Sequence, residues 1–122
     1  MSPRHLSAYV LVALGGAIGS LLRYHAAVVW GARPFTTFAV NISGSFAIGV
    51  LAASVSSPLI RLFVGVGVLG GFTTFSAWQL EAFSASQTRA GSATSLAILL
   101  GSMVCGFGAC WMGYVLTHRA LR

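Results

Sequence analysis

Acidic residues are almost absent from this sequence, which has a single glutamate, Glu81, and no aspartate or lysine among its 122 residues. Charged residues make up only 7% of the chain, hydrophobic residues make up 57%, and the mean hydropathy is +0.88. A water-soluble domain of this length needs a far more polar surface, so the composition excludes one. We therefore predict an all-α integral membrane protein.

The sequence also lacks the residue patterns of a catalytic site. The sequence contains no recognisable nucleophile–base pair, metal-ligand cluster or phosphate-binding loop, so we do not expect an enzyme. The seven arginines give a net charge of +6, which on a soluble protein would suggest nucleic acid binding. They are scattered one or two per loop, as is typical of residues that flank membrane spans and meet lipid headgroups.

Four apolar stretches are each long enough to cross a bilayer, for which about 20 residues are needed. They cover residues 7–30, 35–55, 59–83 and 93–116. Short turns with Gly31, Pro34 and Pro58 separate the first three stretches, and a polar loop at 84–92 precedes the fourth. The whole chain, residues 1–122, is thus predicted to form a single transmembrane domain.

The third stretch is interrupted where a membrane helix should be most regular. It contains Gly70-Gly71-Phe72-Thr73-Thr74-Phe75-Ser76. Adjacent glycines each weaken a helix by about 1 kcal/mol relative to alanine, and the hydroxyls can bond local backbone instead of the helix ladder. Because lipid cannot satisfy the freed N–H and C=O groups, such a break must be buried in protein, line water or hold an ion. We therefore predict a broken third helix.

Two polar side chains lie within spans, where lipid cannot satisfy them. Asn41 is either one half of an interhelical hydrogen bond or a donor that lines a pore. Arg23 either snorkels to the membrane interface, pairs with protein near the end of its helix, or belongs to a functional site. The residues alone leave these alternatives open.

Small residues recur at four-residue spacing in the first and fourth stretches, at Gly15 and Gly19 and then in a longer ladder. The ladder consists of Gly101, Cys105, Ala109 and Gly113. Small residues at this spacing let helices approach closely in lipid, so both sets are expected to form helix–helix seams. Cys105 and Cys110 point to different helix faces, and we expect two small buried side chains without a disulfide.

The arginines do not favour one orientation of the chain in the membrane. The side that would hold both termini has Arg4, Arg61, Arg119 and Arg122, and the other side has Arg33, Arg89 and nearby Arg23. The positive-inside rule needs a clearer asymmetry than this. Insertion in both orientations is therefore predicted, and opposite copies could pair about an axis in the membrane plane.

Three motifs in order resemble the Fluc (CrcB) fluoride channels over nearly the whole chain. They are Gly16-Ala17-Ile18-Gly19-Ser20-Leu21-Leu22-Arg23-Tyr24, Val40-Asn41-Ile42-Ser43-Gly44-Ser45-Phe46, and the interrupted segment from Gly70 to Ser76 with Glu81. The resemblance implies a fluoride-selective channel in the cell (inner or plasma) membrane that exports cytoplasmic fluoride and lowers its toxicity. It also implies an antiparallel, dual-topology homodimer with two pores.

The resemblance further assigns roles to individual residues. The backbone carbonyls of Gly70 and Thr73 would hold one structural Na⁺ at the centre of the dimer. Asn41 would donate a hydrogen bond to fluoride, and Phe75 would present the edge of its ring, which carries the positive end of the quadrupole. The other predicted pore residues are Trp78, Thr74 and Ser102.

Trp78 departs from the family pattern, which has a second phenylalanine there, and its bulk and N–H could narrow the pore or alter its ion contacts. Two alternative functions stay open. A small multidrug-type proton-coupled exporter would need a carboxylate in its first span, where this chain has none. A non-conducting membrane subunit of a heterodimer would explain the small-residue seams, but not the interrupted helix together with Asn41.

Overall fold

The computed structural model describes residues 3–32, 34–87 and 91–122, and all regular structure in these residues is helical. The helices are α1 (Pro3–Trp30), α2 (Pro34–Ser54), α3 (58–72), α4 (Phe75–Ser86) and α5 (Gly91–Ala120). Helix α3 joins three consecutive pieces, of which the middle one, Arg61–Leu69, has π-helical hydrogen bonding.

These helices form four spans that are long and apolar enough to cross a membrane, and the third span includes both α3 and α4. The spans are His5–Trp30, Pro34–Ser54, Pro58–Ser86 and Ser95–Ala120. The four predicted stretches are therefore confirmed, and the chain is an all-helical, multi-pass integral membrane protein. The predicted loop at 84–92 is shorter than expected, because helices continue to Ser86 and resume at Gly91. Arg33 and Arg89, which enter the charge comparison, lie outside the described residues.

The turn between α1 and α2 follows from its residues. Gly31 has a positive φ of 83°, a conformation that glycine adopts without the steric cost of a Cβ, and it ends α1 after Trp30. Pro34 begins α2, where its missing N–H would have no helical partner in any case. The hydroxyl of Thr36 donates to the Gly31 carbonyl at 2.7 Å and ties the turn to the new helix.

Close backbone contacts pair α1 with α3 and α2 with α5. A Cβ on Gly15 or Gly19 would overlap backbone atoms of α3, and a Cβ on Gly49 or Gly113 would overlap backbone of the facing helix in the second pair. The seam predicted at Gly15 and Gly19 is therefore confirmed, because only residues without a side chain permit these approaches.

The ladder predicted in α5 forms a seam over only half its length. Ala109 is buried and Gly113 lies against α2, whereas Gly101 and Cys105 are exposed. The close contacts of α2 with this helix lie at Gly106, Cys110 and Gly113, beyond the first two positions of the ladder. Cys105 and Cys110 are both free, but the expectation that Cys105 would be buried is wrong.

Within the segment predicted to interrupt the third span, the glycines are helical and the two threonines are extended. Gly70 has helical angles, φ −65° and ψ −37°, and the helix continues through Phe72. The extended residues are Thr73, with φ −78° and ψ 151°, and Thr74, with φ −145° and ψ 122°. Gly71 serves packing instead, because a Cβ there would overlap the backbone of Gly16.

The two halves of the third span pack on different neighbours. Helix α3 lies along α1, and α4 lies along α5, so the extended residues carry the chain from one helix pair to the other. The described hydrophobic side chains that are buried are Val40, Trp78, Ala82 and Ala109. Many larger apolar side chains face outwards, as expected where lipid or a second subunit covers the surface.

Candidate functional site

Thr73 and Thr74 form part of the wall of an open cavity of about 430 Å³ between α2, α4 and α5. The lining is mainly apolar, with a few polar groups from different elements, as is usual for ligand sites. All five predicted pore residues line this one cavity, namely Asn41, Thr74, Phe75, Trp78 and Ser102. The structure thus brings together residues that are up to 61 positions apart in the sequence.

Asn41 bonds the backbone of Thr74 twice. Its Nδ2 donates to the Thr74 carbonyl oxygen at 2.9 Å, and the Thr74 N–H donates to its Oδ1 at 2.8 Å. The hydrogen-bond interpretation of Asn41 therefore holds. It is compatible with a pore role, because Nδ2 carries two hydrogens and the second can still donate into the cavity.

The hydroxyls of the two predicted pore residues that carry one, Thr74 and Ser102, differ in whether their protons are already bonded. Thr74 Oγ1 accepts from the Ala77 N–H at 3.3 Å and thereby caps α4. Among the described residues its own proton has only a shared contact with Ser76 Oγ at 3.4 Å, in which either hydroxyl can donate. Ser102 Oγ donates to the Ile98 carbonyl at 2.8 Å. Ser102 can therefore donate to an ion only after that bond breaks.

Phe75 and Trp78 form an edge-to-face pair, with ring centroids 5.9 Å apart and planes at 74°. Trp78 is buried, at 7% exposure, whereas Phe75 is 57% exposed. This geometry is one of the preferred arrangements of aromatic rings and orients Phe75 through a buried neighbour. Trp78 thus contacts the ring of Phe75 besides lining the cavity.

Arg23 and Glu81 line a second cavity, of about 360 Å³, which also touches Thr74. Nε of Arg23 donates to the Gly71 carbonyl at 3.3 Å, so this arginine pairs with protein rather than snorkelling. Oε1 of Glu81 accepts from the Thr37 hydroxyl at 2.6 Å, while its Oε2 is buried and has no hydrogen-bond partner among the described residues. The only acidic side chain of the chain thus lies near the extended segment.

Sequence analysis missed two residues next to this segment. Thr37 holds Glu81, and Gly44 is where the methyl group of Thr73 packs, since a Cβ at Gly44 would overlap it. A threonine in an apolar helix carries no distinguishing signal. Gly44 lies within the motif Val40–Phe46, and its place in that motif was the only feature of the sequence that could have marked it as functional.

Gly70 and Thr73, the two predicted cation ligands, lie at the C-terminal end of α3. Gly70 is exposed, and the nearest atom to a Cβ placed there would be the Gly65 carbonyl oxygen at 3.7 Å. The N–H and the hydroxyl of Thr73 both donate to the Leu69 carbonyl, at 3.0 and 2.9 Å. Thr73 therefore ends the helix. Its N–H and hydroxyl both bond the preceding turn, whereas its own carbonyl follows the last helical residue.

Four apolar spans around a cavity with polar groups from several helices define a multi-pass membrane protein with an intramembrane site. The family model described as "CrcB-like protein, Camphor Resistance (CrcB)" matches residues 10–114. The chain belongs to this CrcB family. This assignment replaces the small multidrug-type exporter that the sequence had left open.

Similar proteins extend over nearly the whole chain. A "Fluoride-specific ion channel FluC" from Solibacter usitatus is 41% identical, and the match covers 91% of this chain and 98% of the relative. A protein of the same name from Agrobacterium fabrum is 44% identical and covers 87% of this chain and 92% of itself. One from Chlorobium luteolum is 39% identical, with 94% and 95% covered.

Proposed function

We propose that this chain is a fluoride-selective channel that lets cytoplasmic fluoride leave the cell and so lowers its toxicity. The relatives described above carry the name fluoride-specific ion channel. The observation that carries the proposal to this chain is the convergence of the five pore residues on one cavity. Transport through such a site requires no enzymatic step.

The donors in the cavity suit a small anion that holds its water tightly. Such an ion must exchange water for several weak donors without being trapped. The second N–H of Asn41, the hydroxyl of Thr74 and the ring edge of Phe75 can each provide one contact. Among the described lining residues none carries a charge, so dipoles rather than a fixed cation hold the anion.

Liposomes that contain only this chain should release fluoride when a gradient is imposed, measured with a fluoride-selective electrode. Trp78→Phe should conduct at the parent rate or faster, because it restores the residue of the family pattern and removes bulk beside Phe75. Empty liposomes provide the baseline. A parent chain that assembles and releases no fluoride would contradict a homomeric channel and would favour a subunit that needs a different partner.

The channel is an antiparallel homodimer in our proposal, built from copies that insert in opposite orientations. The scattered arginines support this arrangement, since they favour neither orientation. The exposed position of Gly70 at the end of α3 supports it too, because a two-fold axis in the membrane plane could bring two such ends together.

Single cysteines placed at either terminus should each be labelled from both faces of the membrane in intact cells. The native Cys105 and Cys110 are free, so both must first be replaced. A membrane-impermeant maleimide, applied before and after permeabilisation, distinguishes the two populations. Labelling of each terminus from one face only would exclude dual topology.

We also propose that one structural sodium ion lies at the centre of the dimer. The last carbonyls of a helix have no intrahelical donors and carry the negative end of the dipole. At this end, the Leu69 carbonyl accepts from Thr73 and the Gly71 carbonyl accepts from Arg23. We assign the ion to the backbone carbonyls of Gly70 and Thr73, because backbone oxygens are suitable ligands for a hard cation.

Gly70→Leu should abolish the dimer, whereas Thr73→Ala should leave it intact. Within one subunit a Cβ at Gly70 has room, so a loss of dimer would report on the neighbouring copy. Thr73→Ala keeps the backbone carbonyl and loses one hydroxyl bond, worth about 1 kcal/mol. Size-exclusion chromatography in sodium and in N-methyl-D-glucamine measures both. A Gly70→Leu dimer that sodium still stabilises would contradict this assignment.

A further inference from the structure

Two backbone N–H groups that would close the helix across the extended segment donate to side chains instead. In a continuous α-helix the N–H of Thr74 would donate to the Gly70 carbonyl, four residues back. Here it donates to Oδ1 of Asn41 at 2.8 Å. The N–H of Ala77 would likewise donate to the Thr73 carbonyl. It donates to Oγ1 of Thr74 at 3.3 Å.

The two carbonyls that lose their helical donors in this way belong to Gly70 and Thr73, the pair assigned to sodium above. We propose that Asn41 and Thr74 are positioning residues for that ion. Their side-chain oxygens take up the two N–H groups and so leave both carbonyls available to a ligand. This inference rests on the proposed sodium site and explains how the chain builds it.

The carbonyls on either side of Gly70 are already engaged by other donors. Arg23 takes the Gly71 carbonyl and Thr73 takes that of Leu69. An unpaired backbone group in a membrane interior costs several kcal/mol. If the side-chain acceptors are removed, the N–H groups of Thr74 and Ala77 should therefore return to their helical carbonyls and close the site.

The side-chain amide of Asn41 acts on both proposed ions, sodium and fluoride. Its Oδ1 and one Nδ2 hydrogen hold the backbone of Thr74, while the second Nδ2 hydrogen is the proposed donor to fluoride. Replacing Asn41 by an apolar residue should therefore impair sodium binding as well as fluoride flux. Replacing Phe75 should impair flux alone.

Thr74→Val and Thr74→Ser form the matched pair that tests the inference. Valine has nearly the shape of threonine and suits the extended angles, but it cannot accept from the Ala77 N–H, whereas serine can. The melting temperature of the full chain in detergent is measured at a series of NaCl concentrations, with N-methyl-D-glucamine chloride keeping the ionic strength constant. In Thr74→Val the sodium concentration for half-maximal stabilisation should rise at least about tenfold, which corresponds to about 1.4 kcal/mol. Thr74→Ser should keep the parent value.

Asn41→Leu supplies an independent variant, with Ser45→Ala as its control. Ser45 lines the same cavity one turn further along α2 and lacks a hydrogen bond to the extended segment among the described contacts. Sodium-dependent stabilisation should be lost in Asn41→Leu and unchanged in Ser45→Ala. If Asn41→Leu does not fold, the comparison of Thr74→Val with Thr74→Ser tests the inference by itself.

Equal sodium midpoints in the parent, Thr74→Val and Asn41→Leu would overturn the inference and leave the sodium site standing. A loss of sodium response in Thr74→Ser as large as in Thr74→Val would also overturn it, because serine retains the acceptor. A parent chain that conducts fluoride but shows no sodium-dependent stabilisation would refute the sodium site and this inference together, without touching the proposed channel.

Discussion

Asn41→Asp should reduce fluoride efflux by about two to three orders of magnitude. An ionised carboxylate about 4 Å from an anion, at an effective dielectric constant near 20, costs about 4 kcal/mol, and each 1.4 kcal/mol is a factor of ten. The substitution also removes the Nδ2 donor, so the cavity loses a donor and the Thr74 carbonyl loses its partner. Fluoride efflux from liposomes measures the effect.

Phe75→Ile tests the same pathway without touching Asn41. The branched aliphatic side chain fills part of the space but has no polarised ring edge, so efflux should fall here too. Both variants must elute as dimers like the parent before their rates are compared. If both assemble normally and conduct like the parent, Asn41 and Phe75 do not line the fluoride path.

Gly19→Ala should be strongly destabilising, by about 3 kcal/mol, the upper end of the usual cost of overpacking. A Cβ at Gly19 would overlap the carbonyl oxygen of Val68 and lie 2.7 Å from the backbone nitrogen of Phe72. These are backbone atoms of α3, so no side-chain rotation can relieve the contact, and α1 would have to move away.

Gly16→Ala is the matched control, three residues earlier on the same helix. A Cβ there would have no atom within 4 Å, so the variant should be neutral or should gain up to about 1 kcal/mol from helix propensity. Melting temperature in detergent and the yield of folded protein compare the two variants. Similar melting temperatures for both would contradict the packing of α1 on α3 described above.

The pore residues could be predicted because most of them lie in motifs that resemble a known family. The hydrogen-bond partners of the polar side chains could not be predicted from the sequence. Arg23 with Gly71 and Thr37 with Glu81 are pairs 48 and 44 residues apart. Each pair depends on how two helices are rotated and shifted relative to one another, and an apolar sequence leaves that register open. The sequence therefore predicted polar residues within the spans but not their hydrogen bonds.

Composition alone determined that the chain is a membrane protein with four helical spans, because lipid leaves an isolated apolar segment no other way to pair its backbone. The small residues of α1 determined a close seam for the same kind of reason, since only glycine allows two backbones to approach so closely. These conclusions depend on residue type and spacing, and the structure agrees with them at Gly15 and Gly19.

The place of the extended segment was decided only by tertiary structure. The chain contains Phe-Thr-Thr-Phe twice, at 35–38 and at 72–75. The first copy is helical, while Thr73 and Thr74 in the second are extended. Identical residues have identical intrinsic preferences, so the difference must come from the surroundings, of which the amide of Asn41 is the part that pairs the Thr74 backbone. That partner lies 33 residues away and reaches Thr74 only when α2 packs beside the third span.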